Sequence, residues 1–344
     1  MSFIVNERMA ATAAGSAQVR EIEMLWQYAR NNHAHQVAML PRGMAANALP
    51  NLDPRAWIDL DTQTRALIGQ EADIIFTDLM ALSTSIDIGK LVAAYRRTGA
   101  MDAGDTSLSG QETHLMGAVT HDYDGVVIPV HTKAYGLEWR QEMGNRTIGF
   151  DELGEYNEGA TREVIRLATV NFLDGKAGLN YQGASSYGIR NNPNTIAVTM
   201  TVDMTAGAST YIQMHDQLVT LVQRVRGGNN RVTQPVKVYI SPEIESNWMR
   251  TTGGQTIDRT FMQGMQDIAG ISDIVTSQYL VGNQIILMVQ SREFVSPRTG
   301  MPLTTTPIPR NQPFADWQFI SWMATGLLIK ADQQGRSGVL YASS

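Results

Sequence analysis

The chain has 344 residues and a formal net charge of −6, and 43% of its residues are hydrophobic while 17% are charged. This composition is that of a globular protein with enough apolar residues for a substantial core. The acidic balance argues against a protein that grips nucleic acid through a broad basic face. Because there is no cysteine, disulfides, thiolate nucleophiles and cysteine-ligated metal sites are excluded, and the chain suits a reducing compartment.

Targeting and membrane segments are not indicated by the sequence. No apolar run is long enough to span a bilayer, and Met1 to Arg20 lacks a basic segment followed by an apolar stretch and a cleavage site. We therefore expect a protein that is neither embedded in a membrane nor secreted through a signal peptide.

The first part of the chain, residues 1–60, is predicted to be an arm with little to pack on in its own monomer. Gln18–Asn32 could form a helix, but the prolines at positions 41, 50 and 54 divide the rest of the arm into extended and turn segments. A helix is predicted from Asp61 to Leu82, with Asp61 or Thr62 as its cap.

Residues 85–140 have the pattern of a long extended loop. We predict a strand over Ser85–Tyr95, a polar turn region over Met101–Gly110 and a return strand over Val126–Trp139. A two-stranded arm is marginally stable in isolation, so it needs a surface to lie on. The pattern leaves open whether that surface is a neighbouring molecule or its own domain.

The strongest predicted helix spans residues 151–174. Asp151 can cap its free amides, and Glu152 and Glu155 favour the positive end of the helix dipole. The apolar side is predicted to contain Leu153, Ala160, Val164, Leu167, Ala168 and Asn171. At 1.5 Å per residue the helix is about 35 Å long, enough to serve as the spine of a small domain.

A turn at Tyr187–Asn194 is predicted to open a second lobe in which strands and helices alternate. The predicted strands are Ile196–Val202, Val236–Ile240, Asp273–Thr276 and Ile285–Val289, and the predicted helices are Ser209–Arg226, with Ile212 on its apolar side, Pro242–Met249 and Phe261–Ala269. Such an order indicates a small mixed sheet flanked by helices.

The last part of the chain begins with Ser291–Pro313, whose five prolines predict an extended connection leaving that lobe. Asp316–Lys330 and Val339–Tyr341 are predicted strands. Because apolar residues occupy both faces of Asp316–Lys330, we expect it to be covered on both sides, on one of them by the spine helix.

The order of these parts resembles the major capsid protein of tailed bacteriophages, the Hong Kong 97-type fold. The motifs that carry the resemblance are Ile86-Asp-Ile-Gly-Lys, Tyr123-Asp-Gly-Val-Val-Ile-Pro-Val, Gly136-Leu-Glu-Trp-Arg, Phe150-Asp-Glu-Leu and Tyr187-Gly-Ile-Arg-Asn-Asn-Pro-Asn. The resemblance implies an α+β fold with an N-terminal arm (1–60), an extended β-hairpin loop (85–140) and an α/β axial domain (188–313). The implied peripheral domain comprises residues 61–84, 141–187 and 314–344, with the spine helix at 151–174.

The resemblance also implies a structural protein and not an enzyme. Its members assemble with themselves, as pentamers and hexamers, into an icosahedral shell around double-stranded DNA, which they enclose without sequence-specific binding. Portal, scaffolding or decoration proteins are the implied partners, and the virion is assembled in the bacterial host cytoplasm. Two alternatives stay open: an encapsulin-like bacterial compartment shell, and an α/β enzyme with its core at residues 188–290.

We predict no catalytic, cofactor-binding or metal-binding residue. His33, His35, His121 and His131 could hold a divalent ion, but their spacing does not close a ligand set. His215 and Asp216 are adjacent on a predicted helix and should point in different directions. Gly227-Gly228 ends a helix, and Thr252-Gly-Gly-Gln-Thr lacks the lysine of a P-loop.

Some members of the capsid family lock their shells covalently through a loop lysine and an asparagine of a neighbour. Here the loop contains Lys90 and Lys133, both within predicted strands, where the ammonium groups should stay solvated and protonated. Such lysines are poor nucleophiles. We therefore predict a noncovalent shell.

Overall fold

The computed structural model of the protein describes residue 27 and residues 73–99, 101, 119–148, 151–228, 230–251, 260–312 and 314–344. Most of the predicted N-terminal arm, the segment 61–72 of the first predicted long helix, and almost all of the turn region 101–110 lie outside these residues. The last turns of the predicted helix Asp61–Leu82 are present as a helix over Ile74–Ala81.

Six helices occur in the described part of the chain. They are α1 (Ile74–Ala81), α2 (Trp139–Ile148), α3 (Glu152–Asp174), α4 (Tyr211–Arg226), α5 (Pro242–Trp248) and α6 (Phe261–Gln266).

The strands form three sheets. A four-stranded sheet has the order β1 (Thr84–Ser85), β11 (Val295–Pro307), β12 (Trp317–Ile329) and β4 (Val130–Leu137). A five-stranded sheet has the order β7 (Ile196–Thr199), β13 (Val339–Ser343), β10 (Gln284–Met288), β8 (Val236–Ile240) and β9 (Ile271–Thr276). The third sheet has the order β2 (Val92–Thr98), β3 (His121–Val127), β6 (Ala184–Ser186) and β5 (Lys176–Tyr181).

The spine helix α3 begins and ends where the sequence predicts. The Asp151 side chain accepts a hydrogen bond from the Gly154 amide at 2.9 Å, and Gly175 at the other end has a φ of 68°. A side chain at Gly175 would also collide with the carbonyl of Ser186, so glycine is required there. The buried side differs in one detail from the prediction, because Leu167 is half-buried whereas Ile165 is buried.

The four-stranded sheet contains the clearest departure from the predictions. The segment Ser291–Pro313 is not a free connection, because 13 of its residues form β11 and pair antiparallel with β12. Prolines are tolerated at sheet edges and bulges. On its other side β11 pairs, among the described residues, only with the two of β1. Its register with β12 shifts between Thr299 and Met301 and again before Thr304.

Both faces of β12 are buried, as the sequence predicts. Met323 and Leu327 belong to one apolar cluster with Val164 and Phe172 of the spine helix. On the opposite face, alternating residues of β12 pack with the base of the β2–β3 hairpin in a smaller cluster comprising Ala93, Val126, Ile128, Met301, Ala324 and Leu328. The central strand therefore lies between the spine helix and the hairpin.

The five-stranded sheet is covered by helices on one face and by the spine on the other. Met214, Leu218 and Leu221 of α4 contribute to the core on the first face, and Phe172 of α3 packs with Tyr239 and Ile286 on the second. The chain's last strand, β13, lies inside this sheet between β7 and β10. The predicted grouping of residues 314–344 with the spine therefore does not match the pairing of β13.

Several local predictions also need correction. Ile212 is 68% exposed and does not lie on the buried side of α4. The predicted strand Ser85–Tyr95 is β1, a turn and β2, and Val126–Trp139 is broken at Pro129 into β3 and β4. Helix α2 and the β5–β6 hairpin were not predicted.

Candidate functional site

The hairpin arm, defined here as strands β2 and β3, is exposed over much of its length. Its strands pair antiparallel from Val92 opposite Val127 to Thr98 opposite His121. β3 also pairs parallel with β6 through Val126 and Ser185, which joins the arm to the β5–β6 hairpin. All six residues of β5 are exposed, among them Leu179 and Tyr181, so this sheet has little core of its own.

The base of the arm is fixed to the body by Tyr95. Its hydroxyl donates a hydrogen bond to the carbonyl of Ala331 at 3.1 Å and accepts one from the Ala331 amide at 2.8 Å. Ala331 lies just beyond the end of β12. Burial, as the largest of several effects, raises the pKa of Tyr95, so the phenol stays protonated and able to donate at neutral pH.

A second anchor surrounds Asn194 in the turn that precedes β7. Its side-chain amide donates to Asp124 of β3 at 2.8 Å and to the carbonyl of Ile329 at 3.0 Å. Arg97 of β2 forms an ion pair with Asp124 and donates to the Asn194 oxygen at 3.0 Å. Both strands of the arm are thus joined to one turn and to the end of the central strand.

The arm crosses the four-stranded sheet at Gly326. A β-carbon at this position would lie 2.9 Å from the carbonyl oxygen of Val127 and 3.2 Å from the α-carbon of Ile128. Both neighbours are backbone atoms and cannot move aside as a flexible side chain can. Glycine therefore permits the close approach of the arm to the sheet.

A group of aromatic and arginine side chains lies where β11 turns into β12. The ring of Phe314 is 63% exposed and lies 5.5 Å from the ring of Trp139 on α2. The guanidinium of Arg310 lies 4.2 Å from the centre of the Trp317 ring, and that of Arg140 lies 5.4 Å from Trp139. Exposed aromatic and arginine residues are typical of the centres of protein interfaces.

A similar surface lies on the lobe of the five-stranded sheet. Tyr211 and Phe261 have their ring centres 5.4 Å apart, and the guanidinium of Arg250 lies 5.2 Å from that of Phe261. Beside them Ile212 and Met249 are 68% and 62% exposed. This apolar edge faces solvent in the single chain.

The best-buried ion pair of the described residues joins helix α1 to the five-stranded sheet. The Lys237 ammonium lies 2.8 Å from a carboxylate oxygen of Asp78, which also accepts a hydrogen bond from the Tyr239 hydroxyl at 2.7 Å. Burial and the neighbouring Asp78 raise the pKa of Tyr239. All three side chains have partners within the fold, which is typical of a structural network.

The histidines considered as metal ligands do not converge in the described structure. His33 and His35 lie outside the described residues. His121 contacts the guanidinium of Arg96 at the surface, and His131 lies on β4. Burial lowers the pKa of His131 to about 4, so it is neutral at pH 7. No group of three or more metal-ligating side chains occurs among the described residues.

The other candidates are also separate from one another. His215 and Asp216 approach to 3.5 Å on the exposed side of α4, closer than predicted for adjacent helix residues, and the ring of Tyr211 lies 5.6 Å from that of His215. Gly227 ends α4, as predicted. Thr252–Thr256 lies outside the described residues. Lys90 is exposed in a turn and not in the predicted strand, while Lys133 is exposed on β4.

Tyr95, Asn194 and Gly326 were missed as functional residues by sequence reasoning. Asn194 was predicted only as a turn residue. Nothing local marks the other two, because each partner lies far away in the chain.

Within the described part of the chain, no helix is sufficiently long and apolar to cross a membrane.

A family model described as a family of unknown function, DUF6260, matches residues 45–342. The chain belongs to this family. No curated protein matches the chain at a significant level.

Solved structures share the fold of this DUF6260 chain. The capsid of Myoviridae phage XM1 is similar with a TM-score of 0.60 and 11% identity, over 79% of this chain and 92% of that one. A virus-like particle from Pyrococcus furiosus is similar with a TM-score of 0.55 and 13% identity, over 82% of this chain and 97% of that one. A structure from Mycobacterium phage Bobi is similar with a TM-score of 0.54 and 11% identity, over 78% of this chain and 90% of that one. The predicted α+β fold of the Hong Kong 97 type is confirmed.

Proposed function

We propose that this protein is a shell-forming capsid protein that assembles with itself, as pentamers and hexamers, into an icosahedral container for a phage genome. The observation that carries the proposal is the shared fold, which extends over 92% of the phage XM1 capsid chain. Fold alone does not fix function. The exposed surfaces of the arm and of the two aromatic groups supply the second line of support.

Those surfaces suit an assembling subunit. The sheet that contains the arm has little core of its own, since all six residues of β5 are exposed. Two separate surfaces face solvent in the single chain, one with the exposed ring of Phe314 and one with exposed Ile212 and Met249. Large exposed apolar side chains are characteristic of interaction sites. When one chain uses several different surfaces at once, its contacts repeat around symmetry axes and modest interfaces become cooperative.

We also propose a revised division of the chain. The spine unit contains α1, β1, β4, α2, α3, β11 and β12, and the second lobe contains the five-stranded sheet including β13, with α4, α5 and α6. The arm spans residues 92–127. This division follows strand pairing, which separates β11 from the second lobe and β13 from the spine.

The proposed role is structural and not enzymatic. The buried polar network around Lys237 is satisfied by its own partners, and the exposed lysines at positions 90 and 133 favour a noncovalent shell. Portal, scaffolding or decoration proteins and enclosed double-stranded DNA belong to this proposal as partners, and the virion assembled in the host cytoplasm is its proposed location.

A second candidate is a compartment shell of the encapsulin type. It is favoured by the similarity to the Pyrococcus furiosus virus-like particle, which covers 97% of that chain. The two candidates differ in what the shell contains. Particles isolated from the native source and treated with nuclease should protect DNA if the protein is a capsid, and should instead hold a protein cargo if it is a compartment.

A further inference from the structure

Arg298 is a partly buried cation without a counter-charge in the described structure. It lies in β11 opposite Gly326 of β12 and next to Thr84 of β1. Its Nε is buried and has no hydrogen-bond partner among the described residues. No carboxylate of the described chain forms an ion pair with it, whereas Arg97, Arg162, Arg166 and Arg190 each have one.

The surroundings of Arg298 add positive charge. Lys330, just past the end of β12, is close enough for the charge of Arg298 to help lower its pKa, although desolvation lowers it more. The Lys330 ammonium donates to the carbonyl of Arg292 at 2.7 Å. The charge of Glu293 acts in the opposite direction and raises the pKa of Lys330. The Glu293 carboxylate is exposed, however, and accepts a hydrogen bond from Gln234 at 3.3 Å.

Such an arrangement is costly for a single chain. Moving a charge out of water is unfavourable unless a partner of opposite charge and hydrogen bonds replace the lost solvation. Desolvation also lowers the pKa of Arg298 itself. An arginine whose fork is partly dehydrated in advance is suited to bind a carboxylate through two hydrogen bonds.

The position of the site indicates where the anion comes from. Residues directly opposite each other on paired strands share one face, so Arg298 lies on the face of Gly326 that the hairpin arm crosses. A DNA backbone presents a row of phosphates and needs a row of cations, whereas Lys330 is the one cation of the described residues that couples electrostatically to Arg298. A single carboxylate matches this pair better.

We propose that Arg298, with Lys330 beside it, receives a carboxylate from a second copy of this chain in the assembled shell. The inference rests on the proposed function. Charge complementarity supports a second copy as the source, because the chain has a net charge of −6. Several exposed carboxylates, among them Glu138, Glu155 and Glu243, hold no ion pair in the described part of the chain.

The test compares Arg298→Met with Arg292→Met. The second variant is the control, because it also removes one positive charge, but at an exposed arginine. Assembly is measured by sedimentation of the full-length protein over a range of concentrations, and thermal unfolding is measured on unassembled subunits. For Arg298→Met we expect an assembly threshold raised about tenfold or more, because losing one partner strands a buried charge in the other copy. The melting temperature of its subunit should stay equal or rise. Arg292→Met should assemble like the wild type, and Arg298→Lys should restore part of the loss.

Three results would overturn the contact. The first is that Arg298→Met assembles like the wild type. The second is a lower melting temperature of the Arg298→Met subunit, which would place the anion within the same chain. The third is that inorganic phosphate raises the melting temperature of the wild-type subunit, but not that of Arg298→Met, relative to chloride at equal ionic strength; this would mark a free-anion site. If the wild-type chain forms no shells, the proposed function fails first and the contact fails with it.

Discussion

Tyr95 and Ala331 are joined by two hydrogen bonds although 236 positions separate them in the chain. The phenol of Tyr95 both donates to and accepts from the backbone of Ala331, which extends the central strand β12 towards the hairpin arm. The arm therefore does not hang from the body by its ends alone. Its direction is set within the single chain, before any neighbour is present.

Replacing Tyr95 by phenylalanine removes both of these hydrogen bonds and keeps the ring. Because the partly buried amide and carbonyl of Ala331 then lose their partner, the free energy of unfolding should fall by about 1 to 3 kcal/mol. Urea unfolding measures this loss, and hydrogen exchange should become faster at the Ala331 amide. Tyr123→Phe is the matched control, because Tyr123 lies on the same hairpin and is 69% exposed. Equal effects of the two changes would refute the anchoring role.

Gly326→Ala should displace the arm from the sheet. The added methyl group meets backbone atoms of Val127 and Ile128, so the strands must separate, at a cost of about 1 to 3 kcal/mol. Gly300→Ala on the adjacent strand is the control, since its nearest neighbour would be 3.5 Å away. Thermal unfolding of the two variants decides the point, and a Gly300→Ala protein that is as unstable as Gly326→Ala would contradict the crossing geometry.

Two residues of the spine helix should differ in how much stability is lost when each is replaced by alanine. Phe172 is fully buried and stacks on Phe76 of α1 with ring centres 5.6 Å apart. Phe172→Ala should therefore cost about 3 to 5 kcal/mol. Leu167→Ala should cost clearly less, because Leu167 is half-buried. Chemical denaturation of both variants measures the two losses of stability. A larger loss for Leu167→Ala than for Phe172→Ala would mean that the helix presents another side to the sheets.

Because His131 is buried in its neutral form, the protein should lose stability in mild acid. Burial lowers its pKa to about 4 in the fold, against about 6.5 in an unfolded chain. The unfolded state therefore takes up a proton first, so stability is full above pH 6.5 and falls as the pH decreases towards 4. The expected loss between pH 7 and pH 5 is on the order of 1 to 2 kcal/mol. His131→Gln should flatten this part of the urea-unfolding profile, whereas His121→Gln at the surface should leave it unchanged. A profile equally steep in His131→Gln would assign the effect to other groups.

Sequence alone predicted the elements whose signals are local. The spine helix has its cap at Asp151, its stop at Gly175 and an apolar stripe between them, so its limits were correct within one residue. Helix α4 likewise begins at the Thr210 capping box and ends at Gly227. The order of these elements and the quoted motifs were sufficient to predict the fold.

The features that the sequence did not predict depend on distant partners. The prolines of β11 indicated a connection because nothing local shows that β12 returns beside it. Helix α2 is polar and has no apolar stripe; the side chains of Gln141 and Asn145 instead donate to Glu152 of the spine helix. The anchors at Tyr95 and Asn194 and the crossing at Gly326 arise only when segments 70 or more positions apart meet.

Electron microscopy of the full-length protein expressed and purified from bacteria tests the central claim most directly. We expect closed, uniform particles whose averaged images show rings of five and six subunits, with the arm of each subunit lying over a neighbour. The same particles should dissociate in boiling detergent to a single species near 37.9 kDa. A protein that stays monomeric at every salt and protein concentration, with no rings or shells in the images, would contradict the proposed assembly.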